Sequence, residues 1–312
     1  MNSLRIHGVV PPVATPLTSS GHPDESALRR VIDHLVAGGC DAAFILGSTG
    51  ELASLSGADR EIVIRTAVNA AAGRIPVLVG IADTSPAATI DLARLASDLG
   101  SDALVMAAPY YYDLAADEMK RYFTSILPEL DRPTLLYNMP WLTGHVLDID
   151  CLTAALEHPN VIGFKDSSGD MAYLRQMIGV AATREGTTVL VGNEYFYLEA
   201  LRLGAHGAVA GGANIYPRLF RALQDAFDRG DLEMALALQG RISRLGKQLF
   251  DLTGRPTSVF CAVKAGMAAI GLCEPHMAAP LTSFTAAEMV RVREIVNSPD
   301  ATLPPQQATA SV

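Results

Sequence analysis

PVLVG-IADTS-PAATIDLARLASDLG-SDALVMA, residues 76–107, is the stretch whose reading decides the fold. Its two ends, 76–80 and 103–107, are short runs of Val, Leu, Ala and Met, the length and composition of buried strands. Between them Ser85-Pro86 opens a stretch, 87–99, with helical apolar period, and Gly100 ends it. Strand, helix and strand in this order form a βαβ unit of a parallel sheet. The same unit recurs outward in both directions. Candidate strands lie at 8–14, 42–46, 76–80, 103–107, 134–138, 161–165, 188–192 and 207–211, and Asp24-Glu25-Ser26 opens another helix over 27–37. Eight successive pairs predict an α/β fold of the (β/α)8 (TIM) barrel type, its last strand closing on its first. A doubly wound open sheet would give the same alternation, but neither G-x-G-x-x-G nor G-x-x-x-x-G-K-[ST] occurs, which favours the barrel.

After Pro217 the alternation stops, and helical patterns follow at 231–252, 258–270 and 285–296. The chain therefore divides into a barrel over 1–228, a C-terminal helical extension over 229–298 and a tail, 299–312, whose Pro, Gln, Ala and Thr predict disorder. Of the 312 residues 49% are hydrophobic and the net charge is −9, which fits a large buried core and argues against a nucleic-acid partner, since that needs clustered Lys and Arg. No apolar run approaches the roughly 18 residues of a membrane span, and MNSLRIHGVV lacks the pattern of a signal peptide, so the expected location is the cytoplasm. Cys40, Cys151, Cys261 and Cys273 are scattered and the seven histidines stand apart, so no metal site is expected.

In a barrel of this type the chemistry sits where the strands run out at their C-terminal ends. Strand two ends in Gly47-Ser48-Thr49-Gly50-Glu51, strand four in Pro109-Tyr110-Tyr111-Tyr112, strand five in Tyr137-Asn138-Met139-Pro140 and strand six in Gly163-Phe164-Lys165-Asp166. Only four lysines occur, Lys120, Lys165, Lys247 and Lys264. Lys120 and Lys247 read as solvated helix residues, and Lys264, on an apolar helix, as snorkelling or at an interface. Lys165 alone ends a barrel strand, where desolvation would lower its pKa and free the amine to attack a carbonyl. The plain alternative is a strand-end lysine paired with Asp166 or Asp170. Ser48 and Thr49, set between glycines, suit a cradle for a carboxylate, and equally an ordinary helix-capping turn. Tyr137 offers a phenol for proton transfer, or merely packs.

Taken together, G-S-T-G-E, P-Y-Y, Y-N-M-P and G-F-K-D, in this order and at these strand ends, resemble the pyruvate-dependent class I lyases typified by dihydrodipicolinate synthase and N-acetylneuraminate lyase. The resemblance runs from Gly8-Val9-Val10 to the C-terminal helices. It implies a homodimer or homotetramer that needs no cofactor beyond a covalent imine on Lys165. It further implies that Ser48 and Thr49 bind the carboxylate of a 2-oxo acid, that Tyr137 relays protons with Ser48 and with Tyr111 from a neighbouring subunit, and that the Val209 carbonyl faces the substrate. Where the synthases typically carry an arginine for the carboxylate of aspartate semialdehyde, this chain has Leu142. The acidic pair of the neuraminate lyases is matched by Glu194-Tyr195, and their serine by Gly211. What remains resembles an aldolase or dehydratase of a 2-keto-3-deoxy sugar acid, with 4-hydroxy-tetrahydrodipicolinate synthase as the alternative. Two other classes are a non-catalytic binder of small carboxylates on the same barrel, against which Lys165, Tyr137 and Tyr111 together argue, and a pyridoxal phosphate enzyme, for which Ala210-Gly211-Gly212-Ala213-Asn214 offers only a weak phosphate loop.

Overall fold

The computed structural model describes residues 4–301, and within them the eight anticipated strands all form. They are β1 (Gly8–Val9), β2 (Ala43–Ile45), β3 (Val77–Gly80), β4 (Ala103–Ala107), β5 (Thr134–Asn138), β6 (Val161–Asp166), β7 (Thr188–Val191) and β8 (Gly207–Ala208). Every pairing is parallel, and the sheet runs β1-β8-β7-β6-β5-β4-β3-β2. Closure between β1 and β2 comes from the irregular segment just after β1. Pro12 bridges Phe44, the Val13 N–H donates to the Phe44 carbonyl at 2.7 Å, and the Phe44 N–H to the Pro11 carbonyl at 3.0 Å.

Strands two, three and seven lose one or two residues of their predicted spans, whereas strands one and eight are much shorter than the sequence predicts. Strand one stops at Val9 because Pro11 and Pro12 have no N–H to give a ladder. Strand eight stops at Ala208 because Gly211–Asn214 turns into a 3-10 helix, held by the Asn214 side chain on the carbonyls of Pro12 and Gly211.

The barrel helices are α1 (Glu25–Ala37), α2 (Gly57–Ala71), α3 (Pro86–Asp98), α4 (Ala116–Ile126), α5 (Ile149–Leu156), α6 (Met171–Ala181), α7 (Tyr197–Leu203) and α8 (Pro217–Asp228). Five of the eight starts are capped by a side chain: Asp24, Ser56, Ser85, Asp148 and Asp170 each accept a backbone N–H of their own first turn. Strand alternation sorts the core into two shells. Phe44, Leu78, Val105, Leu135, Tyr137 and Leu190 pack inside the barrel, whereas Ile45, Val79, Leu104, Leu136, Phe164 and Val189 face the helices.

The extension consists of α9 (Leu232–Phe250), α10 (Ser258–Ala269) and α11 (Ala286–Val296). Phe250, Val259 and Phe260 line a cavity at the C-terminal rim of the barrel, so the extension walls the site as well as following the barrel. The tail departs from expectation at its start. Pro299–Ala301 forms a 3-10 turn because Asp300 is gripped by Arg244 at 2.8 and 2.9 Å, with the Arg241 guanidinium on its carbonyl. Residues 302–312 lie outside the described residues.

Candidate active site

Tyr137 on β5 and Lys165 on β6 are register partners, so both side chains point into the barrel at its C-terminal end. The Lys165 Nζ lies 3.7 Å from the centroid of the Tyr137 ring and 4.8 Å from that of Phe44. Only 5% of Lys165 is exposed, and burial pulls its pKa from 10.5 down to about 7, with the nearby Asp166 charge opposing. The amine is thus neutral in about half the molecules at neutral pH.

The pairing of Lys165 with Asp166 or Asp170 does not occur. The Asp166 carboxylate accepts from Asn138 Nδ2 at 2.8 Å and from Ser168 N–H and Oγ at 3.1 and 2.8 Å, while Asp170 caps α6 through Ala172 and Tyr173. Among the described residues Lys165 makes no ion pair, which leaves its nitrogen available to a ligand.

The Tyr137 phenol accepts from Ser167 Oγ at 3.3 Å, and burial pushes its pKa up to about 12 against the hydroxyls of Ser167 and Ser48. It is therefore a protonated donor at neutral pH. Sequence reasoning passed over Ser167; the available signal was its place two residues after Lys165 at a strand end. Its seat requires Gly192, because a Cβ there would come within 1.9 Å of Ser167 Oγ.

Ser48 and Thr49 line the same cavity, of about 210 Å³, with Lys165, Tyr137, Ser167 and Val209. Their turn is closely packed. Gly50 is needed because a Cβ there would meet the Leu46 N and the Val13 carbonyl at 2.9 and 3.0 Å. The N–H groups of Glu51 and Leu52 are spent on the carbonyls of Ser48 and Gly47, whereas those of Ser48, Thr49 and Gly50 make no hydrogen bond among the described residues. Two hydroxyls and a group of unspent N–H donors therefore sit on one turn, an arrangement suited to an anion.

Opposite stands the Asn193-Glu194-Tyr195 turn after β7. Burial raises the Glu194 carboxyl to about 7, partly offset by the Gly212 N–H that it accepts at 2.8 Å. A second, apolar chamber of about 330 Å³ adjoins through Ser48, Tyr137, Met139 and Phe260, and Leu142 stands at its edge. Among the described residues Lys165 is the only Lys or Arg lining either cavity.

One expected site residue stands apart from the others, and one lysine has surroundings other than those expected. Tyr111 is outside its own chain's cavities, 77% exposed and packed edge-on against Tyr112, with ring centroids 5.2 Å apart. Lys264 neither snorkels nor lies at a surface. It is wholly buried because the Glu51 carboxylate, 2.7 Å away, neutralises it. Among the described residues no group of His, Cys, Asp and Glu could hold a metal, and no helix is long and apolar enough to cross a membrane.

Comparison with known proteins gives the family. The chain is 32% identical, over 86% of its length and 88% of the relative's, to a probable 2-dehydro-3-deoxy-D-pentonate aldolase, YjhH, of Escherichia coli K12. It is also 32% identical to a 4-hydroxy-tetrahydrodipicolinate synthase of Hyphomonas neptunium, over 90% of this chain and 94% of that one. Among solved structures, dihydrodipicolinate synthase of Bacteroides thetaiotaomicron superposes with a TM-score of 0.90 at 36% identity, covering 95% of this chain and 99% of that one. The pyruvate complex of YagE from Escherichia coli K12 superposes with a TM-score of 0.88 at 29% identity, covering 93% and 97%. The model of the dihydrodipicolinate synthetase family matches residues 5–298, and the chain belongs to that family of lyases.

Proposed function

We propose that the protein holds a pyruvate-type 2-oxo acid as an imine on Lys165 and cleaves or dehydrates a 2-keto-3-deoxy sugar acid. One observation carries the reading: a buried lysine with its pKa near neutrality, unpaired among the described residues, faces a phenol and a hydroxyl-lined anion cradle on one rim. In cleavage the neutral amine adds to the C2 carbonyl. The resulting hydroxyl takes a proton from Tyr137 and leaves as water, which gives an iminium beside a phenolate. That phenolate removes the proton of the C4 hydroxyl, the C3–C4 bond breaks to release an aldehyde, and its electrons reduce the iminium to an enamine. Protonation at C3 and hydrolysis then return pyruvate and the free lysine. No cofactor enters this sequence.

The substrate class follows from charge. With Lys165 the only cation among the described residues that line the cavities, a second carboxylate finds no partner there, while Ser167, Asn193 and Glu194 offer hydrogen bonds to hydroxyls. The synthase reading is supported by relatives of that name and opposed by this lining. The exposed Tyr110, Tyr111 and Tyr112 stand on the same rim and support a homodimer or tetramer in which Tyr111 enters a neighbour's site. Four free, buried thiols fit a reducing compartment such as the cytoplasm. The test is a panel of 2-keto-3-deoxy acids scored for pyruvate release and for dehydration, with borohydride trapping mapped to Lys165. Full activity in Lys165→Ala, or an adduct on Lys264, overturns the proposal.

A further inference from the structure

We infer that the C-terminal extension sets the carboxylate cradle through the buried Glu51–Lys264 ion pair, which makes both residues positioning residues for the 2-oxo acid. The inference rests on the reading of Ser48 and Thr49 as that acid's seat.

Glu51 closes the cradle turn, and its backbone adopts the left-handed region, with φ +60°, a conformation costly to a residue with a Cβ. Its N–H returns to the Ser48 carbonyl at 3.1 Å, so a shift of Glu51 moves the hydroxyl pair. Both carboxylate oxygens are engaged. Oε1 accepts from Lys264 Nζ at 2.7 Å and Oε2 from the Ala278 N–H at 2.7 Å, and Lys264 also donates to the His276 carbonyl at 2.8 Å. Neither charged side chain is exposed. The barrel adds one tie of its own, Thr15 Oγ1 on the Gly50 carbonyl at 2.7 Å.

A buried ion pair is weak evidence for stability, because an apolar pair of similar volume often does as well or better. What this one supplies is a fixed distance. It joins the turn that carries Ser48 and Thr49 to α10, whose Val259 and Phe260 wall the cavity, so the cradle and that wall share one anchor.

The test compares the wild type with Glu51→Gln/Lys264→Met, which removes both charges together, and with Glu51→Asp, which keeps them and shortens the link by one methylene. Pyruvate is titrated with borohydride trapping read by intact mass, and urea unfolding is run in parallel. In both variants half-saturating pyruvate should rise about tenfold or more, the scale of losing a charge-assisted hydrogen bond to a carboxylate. The double variant should do so with an unfolding midpoint near that of the wild type, a split that a merely structural role would not give. Should the double variant lose its fold, Glu51→Asp carries the test. Unchanged half-saturation in a folded variant overturns the inference while the functional reading stands. Absence of any adduct on Lys165 in the wild type overturns both.

Discussion

The rate at which pyruvate becomes an imine should report the proton on Lys165. With a pKa of about 7 instead of 10.5, the reactive neutral amine is about half the population at pH 7, where an ordinary lysine would supply about one molecule in three thousand. Below pH 7 the rate should therefore rise about tenfold per pH unit, then level off between pH 7 and 8. The assay mixes enzyme and pyruvate at a chosen pH for timed intervals, then quenches into excess borohydride at one fixed pH, with the adduct counted by mass. Glu194 titrates in the same region, so the series is repeated in Glu194→Gln, which should keep the midpoint. A rate that climbs tenfold per unit to pH 9 or beyond would refute the reasoning, for it would mean that burial does not depress this lysine.

Removing the phenolic oxygen in Tyr137→Phe should lower kcat by roughly 10²–10⁴ while pyruvate binding, measured by the trapping midpoint, changes little; an unchanged kcat makes Tyr137 a packing residue. Aspartate semialdehyde should be a poor partner, with kcat/KM for its condensation about ten- to a hundredfold below that for the best 2-keto-3-deoxy acid, because Leu142 donates no hydrogen bond; side-by-side kinetics decide. Lys165→Met should stabilise the fold. The native pKa lies below the unfolded one, so between about 7 and 10.5 the unfolded chain binds the extra proton and native stability rises with pH, the full cost of burying the ammonium being felt below 7. The gain in urea unfolding free energy should be on the order of 3–5 kcal/mol at pH 6 and shrink towards pH 10; a gain independent of pH would point to packing instead.

The strands were legible because burial on both faces of a parallel sheet writes them as short apolar runs, and two of the extension's three helix starts could be read from the caps Asp231 and Thr285. Strand ends were less so at β1 and β8, where prolines and a 3-10 turn, not hydropathy, decide. The site was legible wherever a strand end carried its own chemistry, as at Lys165 and Tyr137. It was opaque wherever function depends on contacts across the chain. Nothing local at Gly192 announces the Ser167 hydroxyl it admits, and nothing at Glu51 announces a partner 213 residues away. Asp300 likewise sits in a Pro-rich tail by composition, yet two arginines of α9 hold it in place.

Lys165 and Lys264 make the reason concrete. Both are buried lysines in apolar surroundings, and although a strand end marked Lys165 as the candidate, what separates a nucleophile from a strut is the partner each one meets across the chain. Burial alone destabilises the ammonium, and whether a carboxylate meets it decides between a retained charge and a lowered pKa. For Lys264 Glu51 arrives at 2.7 Å, and the His276 carbonyl takes a second N–H, so its donors are spent on structure. For Lys165 the adjacent carboxylate of Asp166 is committed to Asn138 and Ser168, and aromatic faces stand where a counter-ion would. The uncompensated cost appears as a lowered pKa, which is the condition for attack on a carbonyl at neutral pH. A change that gave Lys165 a carboxylate partner would thus restore its charge and remove its reactivity, even with every other residue of the site in place.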